Sequence, residues 1–82
     1  MPAAYFLLNV VLNHEVEVLE KIKKILSAEK SIQYELQGVF GVYDIIVKIT
    51  AETDDKIRKL ALEKIKELDK IQSAITMMVN QN

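Results

Sequence analysis

Twice along these 82 residues the spacing of apolar side chains passes from strand-like to helix-like and back, and few folds accommodate that rhythm in so short a chain. Apolar residues at every second position mark a strand with one buried face, and recurrence at three and four residues marks a helix stripe. Residues 4–12 read Ala-Tyr-Phe-Leu-Leu-Asn-Val-Val-Leu, apolar on both faces except at Asn9, as a central strand covered on both sides reads. Asn13 then offers a helix N-cap, with Glu15 and Glu17 at the end of the helix dipole that favours acids. Val18, Leu19, Ile22, Ile25 and Leu26 supply the stripe of an amphipathic helix over 14–29, and Lys21, Lys23 and Lys24 fill its other face.

The second half repeats the rhythm. Over 31–37, Ile32, Tyr34 and Leu36 alternate with Gln33, Glu35 and Gln37, as in a half-exposed edge strand. Gly38-Val39-Phe40-Gly41 follows and holds the only two glycines of the chain, which marks a need for unusual dihedrals or close approach. A third strand over 42–51 puts Ile45, Val47 and Ile49 on one face and Asp44, Ile46 and Lys48 on the other. Thr53 can cap a second helix that opens with Asp54 and Asp55 and carries Ile57, Leu60, Ala61, Ile65 and Leu68 as its stripe. A fourth strand over 73–80 sets Ile75, Met77 and Val79 opposite Ala74, Thr76 and Met78.

The order strand-helix-strand-strand-helix-strand is the split βαβ, or ferredoxin-like, arrangement of the α+β class. Two right-handed crossovers place both helices on one face of a four-stranded antiparallel sheet. No linker or low-complexity segment interrupts residues 1–82, so one domain is expected. With Phe6, Leu8, Val10, Ile45, Val47, Ile49, Ile75, Met77 and Val79 towards the helices, the other sheet face carries Tyr5, Leu7, Val11, Ile46 and Met78. That face is too apolar to be left in water. Packing of sheet on sheet in a homodimer, a dimeric α+β barrel, would cover it.

Composition narrows the function classes. Without cysteine there is no disulfide framework and no thiolate metal site. Lys and Arg number 11 against 12 acidic residues, a balance unlike that of a nucleic-acid-binding face. No apolar run approaches the roughly 20 residues of a membrane span, and no basic region precedes the first apolar stretch as in a signal peptide, so no membrane partner and a cytoplasmic location are expected. Richness in Lys, Glu and Ile without Cys or Trp leans towards a thermophile. No His/Cys/Asp cluster suits a metal or a nucleophile, and the glycines open onto a strand rather than a helix. No catalytic residue, metal or cofactor is therefore expected, nor enzymatic activity.

Gly41-Val42-Tyr43-Asp44-Ile45-Ile46-Val47-Lys48 resembles the Gly-x-Tyr-Asp-(aliphatic) motif of the effector-binding (RAM) domain in the leucine-responsive/asparagine-regulator (Lrp/AsnC) family. The setting matches too, a glycine-containing hairpin leading into an apolar strand, a helix and a closing strand. Ile71-Gln72-Ser73-Ala74-Ile75-Thr76-Met77-Met78-Val79 resembles the family's Val-x-x-Thr-x-Thr-x-aliphatic ending. Ala74 stands where a first threonine is common, Asp69-Lys70 replaces Pro-Gly, and Phe40 replaces a small polar residue. The resemblance covers essentially the whole chain. It implies dimers paired through their sheets, assembly into larger rings (typically octamers), and an effector, commonly an amino acid, held between dimers near the hairpin and last strand. Gly41, Val42, Tyr43, Asp44, Ala74 and Thr76 are the ligand-binding candidates it implies. A chain that enters its first strand by Ala4 leaves no room for the helix-turn-helix of full-length regulators, which become possible partners instead of a template.

Each candidate carries a second reading. Asp44 could accept a ligand ammonium group or merely backbone N–H groups that shape the turn. Gly38 and Gly41 could offer amides to a carboxylate or only supply turn geometry. Tyr43 could lie over a ligand or pack at the sheet end, and Thr76 could be an ordinary β-branched strand residue. An amino-acid-binding and oligomerisation module, not itself DNA-binding, is the leading reading. A scaffold that co-assembles with full-length regulators without effector, or a small enzyme on a dimeric α+β barrel, are the alternatives.

Overall fold

In the computed structural model, which describes residues 1–79, the chain runs β1 (Ala3–Val10), α1 (Glu15–Ala28), β2 (Gln33–Gly38), β3 (Ile45–Thr50), α2 (Asp54–Lys59) and β4 (Ile71–Met78). α2 runs on as a π-helical stretch, Leu60–Ile65. The strands form one antiparallel sheet in the order β2-β3-β1-β4. The architecture is ferredoxin-like α+β, as the apolar rhythm predicts. Asn80, the last residue of the expected fourth strand, lies outside the described residues.

The core forms where alternate side chains of the central strands meet the two helix stripes. Phe6, Leu8 and Val10 of β1 and Ile45, Val47 and Ile49 of β3 are each no more than 4% exposed. They share one cluster with Val18, Ile22 and Leu26 of α1 and with Ile57, Leu60, Ala61 and Ile65 of the second helical segment. Both helices thus cover the same sheet face. The π-helical stretch is closed by the Lys66 N–H donating to the Ala61 carbonyl at 2.9 Å, five residues back. It keeps Leu60, Ala61 and Ile65 inward and leaves Leu62 exposed.

The two helices start differently. Thr53 caps α2 as expected, its Oγ1 accepting the Lys56 N–H at 3.2 Å. For α1 the cap position falls to His14, which makes no capping hydrogen bond, while Asn13 adopts φ 72. Asn is among the few side chains tolerated in the left-handed region, so it turns the chain out of β1 instead of capping. His14 Nδ1 lies 3.5 Å from Glu17, which also binds Lys21 at 3.2 Å. Hydrogen bonds from Lys21 first, and then His14, hold the Glu17 carboxyl below its usual range.

The fourth strand corrects the expected face assignment. Residues opposed across an antiparallel pair point to the same side. Phe6 opposes Thr76, Leu8 opposes Ala74 and Ala4 opposes Met78, so Ala74, Thr76 and Met78 lie on the helix side. Tyr5 opposes Met77 and Leu7 opposes Ile75, so Ile75 and Met77 belong to the open face. Met78, expected on the open face, is on the other one. Val11, also expected there, lies past the end of β1 and donates its N–H to the Lys70 carbonyl at 2.8 Å. A register shift at Asn9/Val10 brings Val10 opposite Ile71, and β4 starts there rather than at Ser73. β3 begins at Ile45, not Val42, because 39–44 forms the loop between β2 and β3.

Candidate functional site

Asp44 ties three strands together at one end of the sheet. Its carbonyl accepts the Val39 N–H at 2.9 Å and closes the loop, and its own N–H donates to the Leu8 carbonyl at 2.9 Å. Its carboxylate Oδ2 accepts the Val10 N–H at 2.8 Å. The backbone group held by the side chain is therefore on β1, not on the glycine hairpin. Within the loop, Gly41 has φ 132, a region L side chains rarely adopt, with open space where a Cβ would stand. Gly38 has only ordinary contacts around such a Cβ, at 4.0 Å from the Asp44 carbonyl and from Leu19 Cδ2. The need for glycine is thus confined to Gly41.

Beside Asp44 a groove of about 540 Å³ opens between this loop and the start of α1. Leu12, Val16, Leu19, Val39, Phe40 and Ile45 form its apolar walls, with Gly38, Glu15 and Asp44 completing the lining. Of the expected ligand residues, Asp44 lines it. Gly41, Val42 and Tyr43 share its loop without forming its wall, and Val42 is 80% exposed. Ala74 and Thr76 are on β4, with the whole of β1 between them and β3, a lateral separation of about 10 Å from two strand spacings. Within one chain the site residues implied by resemblance therefore divide into two groups. Leu12, Glu15, Val16 and Phe40 were not among the candidates. Their signal was present in the sequence, since Val16 is apolar off the α1 stripe and Phe40 is a lone aromatic between glycines.

The open sheet face has two halves. Around β1 and β4 it is apolar, with Tyr5, Ile75 and Met77 exposed and Leu7 half-buried, and Ile46 of β3, also half-buried, extends it on the other side of Leu7. Towards β2 it is polar. Glu35 stands directly opposite Lys48, whose Nζ lies 5.6 Å from the centre of the Tyr5 ring. Among the described residues no group of His, Cys, Asp or Glu is arranged to hold a metal ion, and no helix is long and apolar enough to cross a membrane.

The sheet order and helix placement define the class as a ferredoxin-like α+β domain with one uncovered sheet face. Among solved structures, one described as FFRP-DM1 is 32% identical, with a TM-score of 0.79 over 98% of this chain and 100% of that one. A hypothetical protein from Pyrococcus horikoshii is also 32% identical, with a TM-score of 0.79 over 100% of this chain and 93% of its own. AsnC of E. coli, at 23% identity, has a TM-score of 0.78, and the matched region covers 99% of this chain but 52% of AsnC. A scan of protein-family models gives no match, and a search of curated proteins gives none at a significant level. The chain belongs to the Lrp/AsnC family of regulators and has the fold of its RAM domain.

Proposed function

We propose that this domain senses a small molecule, an α-amino acid in the first instance, and couples that binding to self-association without itself recognising DNA or catalysing a reaction. The observation that carries the reading is the Asp44 carboxylate, half-buried, held by the Val10 N–H at 2.8 Å, and lining the apolar groove. A carboxylate fixed in this way beside an apolar wall is a strong acceptor for an ammonium group. A fold relative from Neisseria meningitidis, a transcriptional regulator, was solved as a complex with L-Met, which supports an amino acid as the ligand class. Ala74 and Thr76 join such a pocket only when a second copy brings its β4 to the groove, so the proposed site spans subunits. Occupancy then favours assembly, because the ligand has a higher affinity for the assembled state. The partners in this reading are a second copy through the open sheet face, further dimers, and full-length regulators. The scaffold reading has one observation in its favour. Ala74 packs against the core and offers no side-chain hydrogen bond to a ligand.

A thermal-shift screen of the amino acids tests the proposal, since a ligand at 100 times its dissociation constant adds about 2.7 kcal/mol of stability. Asp44→Asn retains a carbonyl oxygen for the Val10 N–H and removes the charge. It is expected to weaken amino-acid binding by about 1.5–3 kcal/mol, the worth of a charged hydrogen bond. Titration calorimetry on both proteins decides this, and equal affinities remove Asp44 from the site.

With a formal net charge of −1, the chain is also expected not to retard a double-stranded DNA probe selectively at physiological salt. Sequence-selective retardation would refute that. Weak binding that vanishes with added salt would be only the nonspecific phosphate attraction.

A further inference from the structure

Among the described residues, the four strands hold two charged side chains, Glu35 on β2 and Lys48 on β3. The two stand directly opposite one another in the antiparallel register. Lys48 also opposes Tyr5, and Tyr5 opposes Met77, so one row across the open face runs from acid to base to ring to thioether. Side chains at facing positions of an antiparallel pair are close enough for opposite charges to bind each other. Yet among the described residues Glu35 makes no side-chain hydrogen bond or ion pair, and the Lys48 ammonium lies 5.6 Å from the centre of the Tyr5 ring. Glu35 is exposed and Lys48 half-buried, so both can be reached from the open side of the sheet.

Two copies that meet through this face are related by a two-fold axis, and every contact between them is made twice. A patch with one acid beside one base is self-complementary under that symmetry. If the charged end of the row lay against Leu7, Ile75 and Met77 of a second copy, both charges would be buried in hydrocarbon without a partner, the least favourable placement open to them. We propose that Glu35 and Lys48 form reciprocal ion pairs between two copies at the margin of the apolar patch, and that these pairs set how the sheets face and which chains are accepted. The solvation each charge loses under the partner sheet is then offset by an opposite charge. The apolar patch supplies the attraction. The charges supply the choice of partner, because a chain without an acid and a base at these places leaves a charge unpaired. The proposal rests on the reading that two copies associate through the open sheet face, and it names the residues that select the partner there.

Sedimentation velocity at micromolar concentration tests it on Glu35→Lys, on Lys48→Glu, on the double variant and on an equimolar mixture of the two single variants. Each single variant sets like charge against like in both contacts and is expected to self-associate roughly a hundredfold or more weakly than wild type, the scale of like-charge juxtaposition at an interface. In the mixture every contact again joins an acid to a base, so association is expected to return. The double variant, which exchanges the two charges, is expected to self-associate much as wild type does. Single variants that associate like wild type overturn the inference, as does a mixture that stays monomeric. Either result leaves association through the apolar patch standing if Ile75→Lys dissociates the protein, whereas a wild-type chain that sediments as a folded monomer overturns both. Circular dichroism checks folding. Should a charge reversal unfold the chain, Glu35→Gln and Lys48→Gln carry the same test. Each breaks both contacts, so the two changes together are expected to weaken association no more than either alone, and additive losses overturn the inference.

Discussion

Ile75→Lys is expected to leave the chain folded while converting an associated species into a monomer. Ile75 lies on β4, an edge strand, and is 44% exposed in the single chain. A lysine there keeps its ammonium in water so long as the chain is alone. In a sheet-on-sheet dimer the same position is surrounded by Leu7, Met77 and their counterparts, and the charge would be buried without a partner. A penalty of about 3 kcal/mol corresponds to a dissociation constant raised by roughly a hundredfold. Leu7→Lys and Ile46→Lys should also break association, but both positions are half-buried within the sheet, so they would perturb the fold as well. Sedimentation velocity at micromolar concentration, with circular dichroism as the check on folding, reads the result. A wild-type chain that sediments as a folded monomer would sink the association, and an Ile75→Lys protein that sediments like wild type would remove this face from it.

The polar half of the same face bears on how two copies would meet. Burying Lys48 and Glu35, which face each other across β2 and β3 without forming an ion pair, under a partner sheet costs solvation. The apolar patch on β1 and β4 carries no such cost, so it is the natural centre of contact. The face is therefore better described by Tyr5, Leu7, Ile46, Ile75 and Met77 than by the expected set that included Val11 and Met78.

That substitution also marks what periodicity can and cannot decide. β1 and β3 were legible because each has one row of large aliphatics that must be buried, and a one-residue slip would expose all of it. β4 has apolar residues in both rows, Ile75 and Met77 in one and Ala74 and Met78 in the other, so size alone pointed the wrong way. The register that settles it depends on a shift at Asn9/Val10 that no glycine or proline announces. Asn13 was ambiguous for a chemical reason, since the short amide side chain that caps helices also tolerates the left-handed region. The π-helical stretch was not legible, because the spacing of Leu60, Ala61 and Ile65 suits an α-helix equally well. At the site, Asp44 and Gly41 were legible as a turn with a carboxylate. The groove was not, because Leu12, Glu15 and Val16 reach it only through the turn made at Asn13.

Phe6→Ala is expected to cost about 3–5 kcal/mol of stability, the range for removing a fully buried aromatic ring. Phe6 is 2% exposed on the central strand β1, in the cluster shared by both helices. A chain of this length has a stability on the order of 4–12 kcal/mol at the usual value per residue, so the loss is a large fraction of the total. The opposite side of β1 carries Tyr5 and Leu7, the residues that would meet a partner sheet, so the core and the association surface share one strand. If association stabilises only the folded chain, the midpoint of unfolding rises with protein concentration. Phe6→Ala should then be largely unfolded when dilute and regain structure when concentrated, while wild type stays folded in both conditions. Urea melts at two concentrations a hundredfold apart measure this. A loss below about 1 kcal/mol would contradict the burial of the ring, given the usual cost of such truncations. Midpoints independent of concentration would contradict the coupling of fold to assembly.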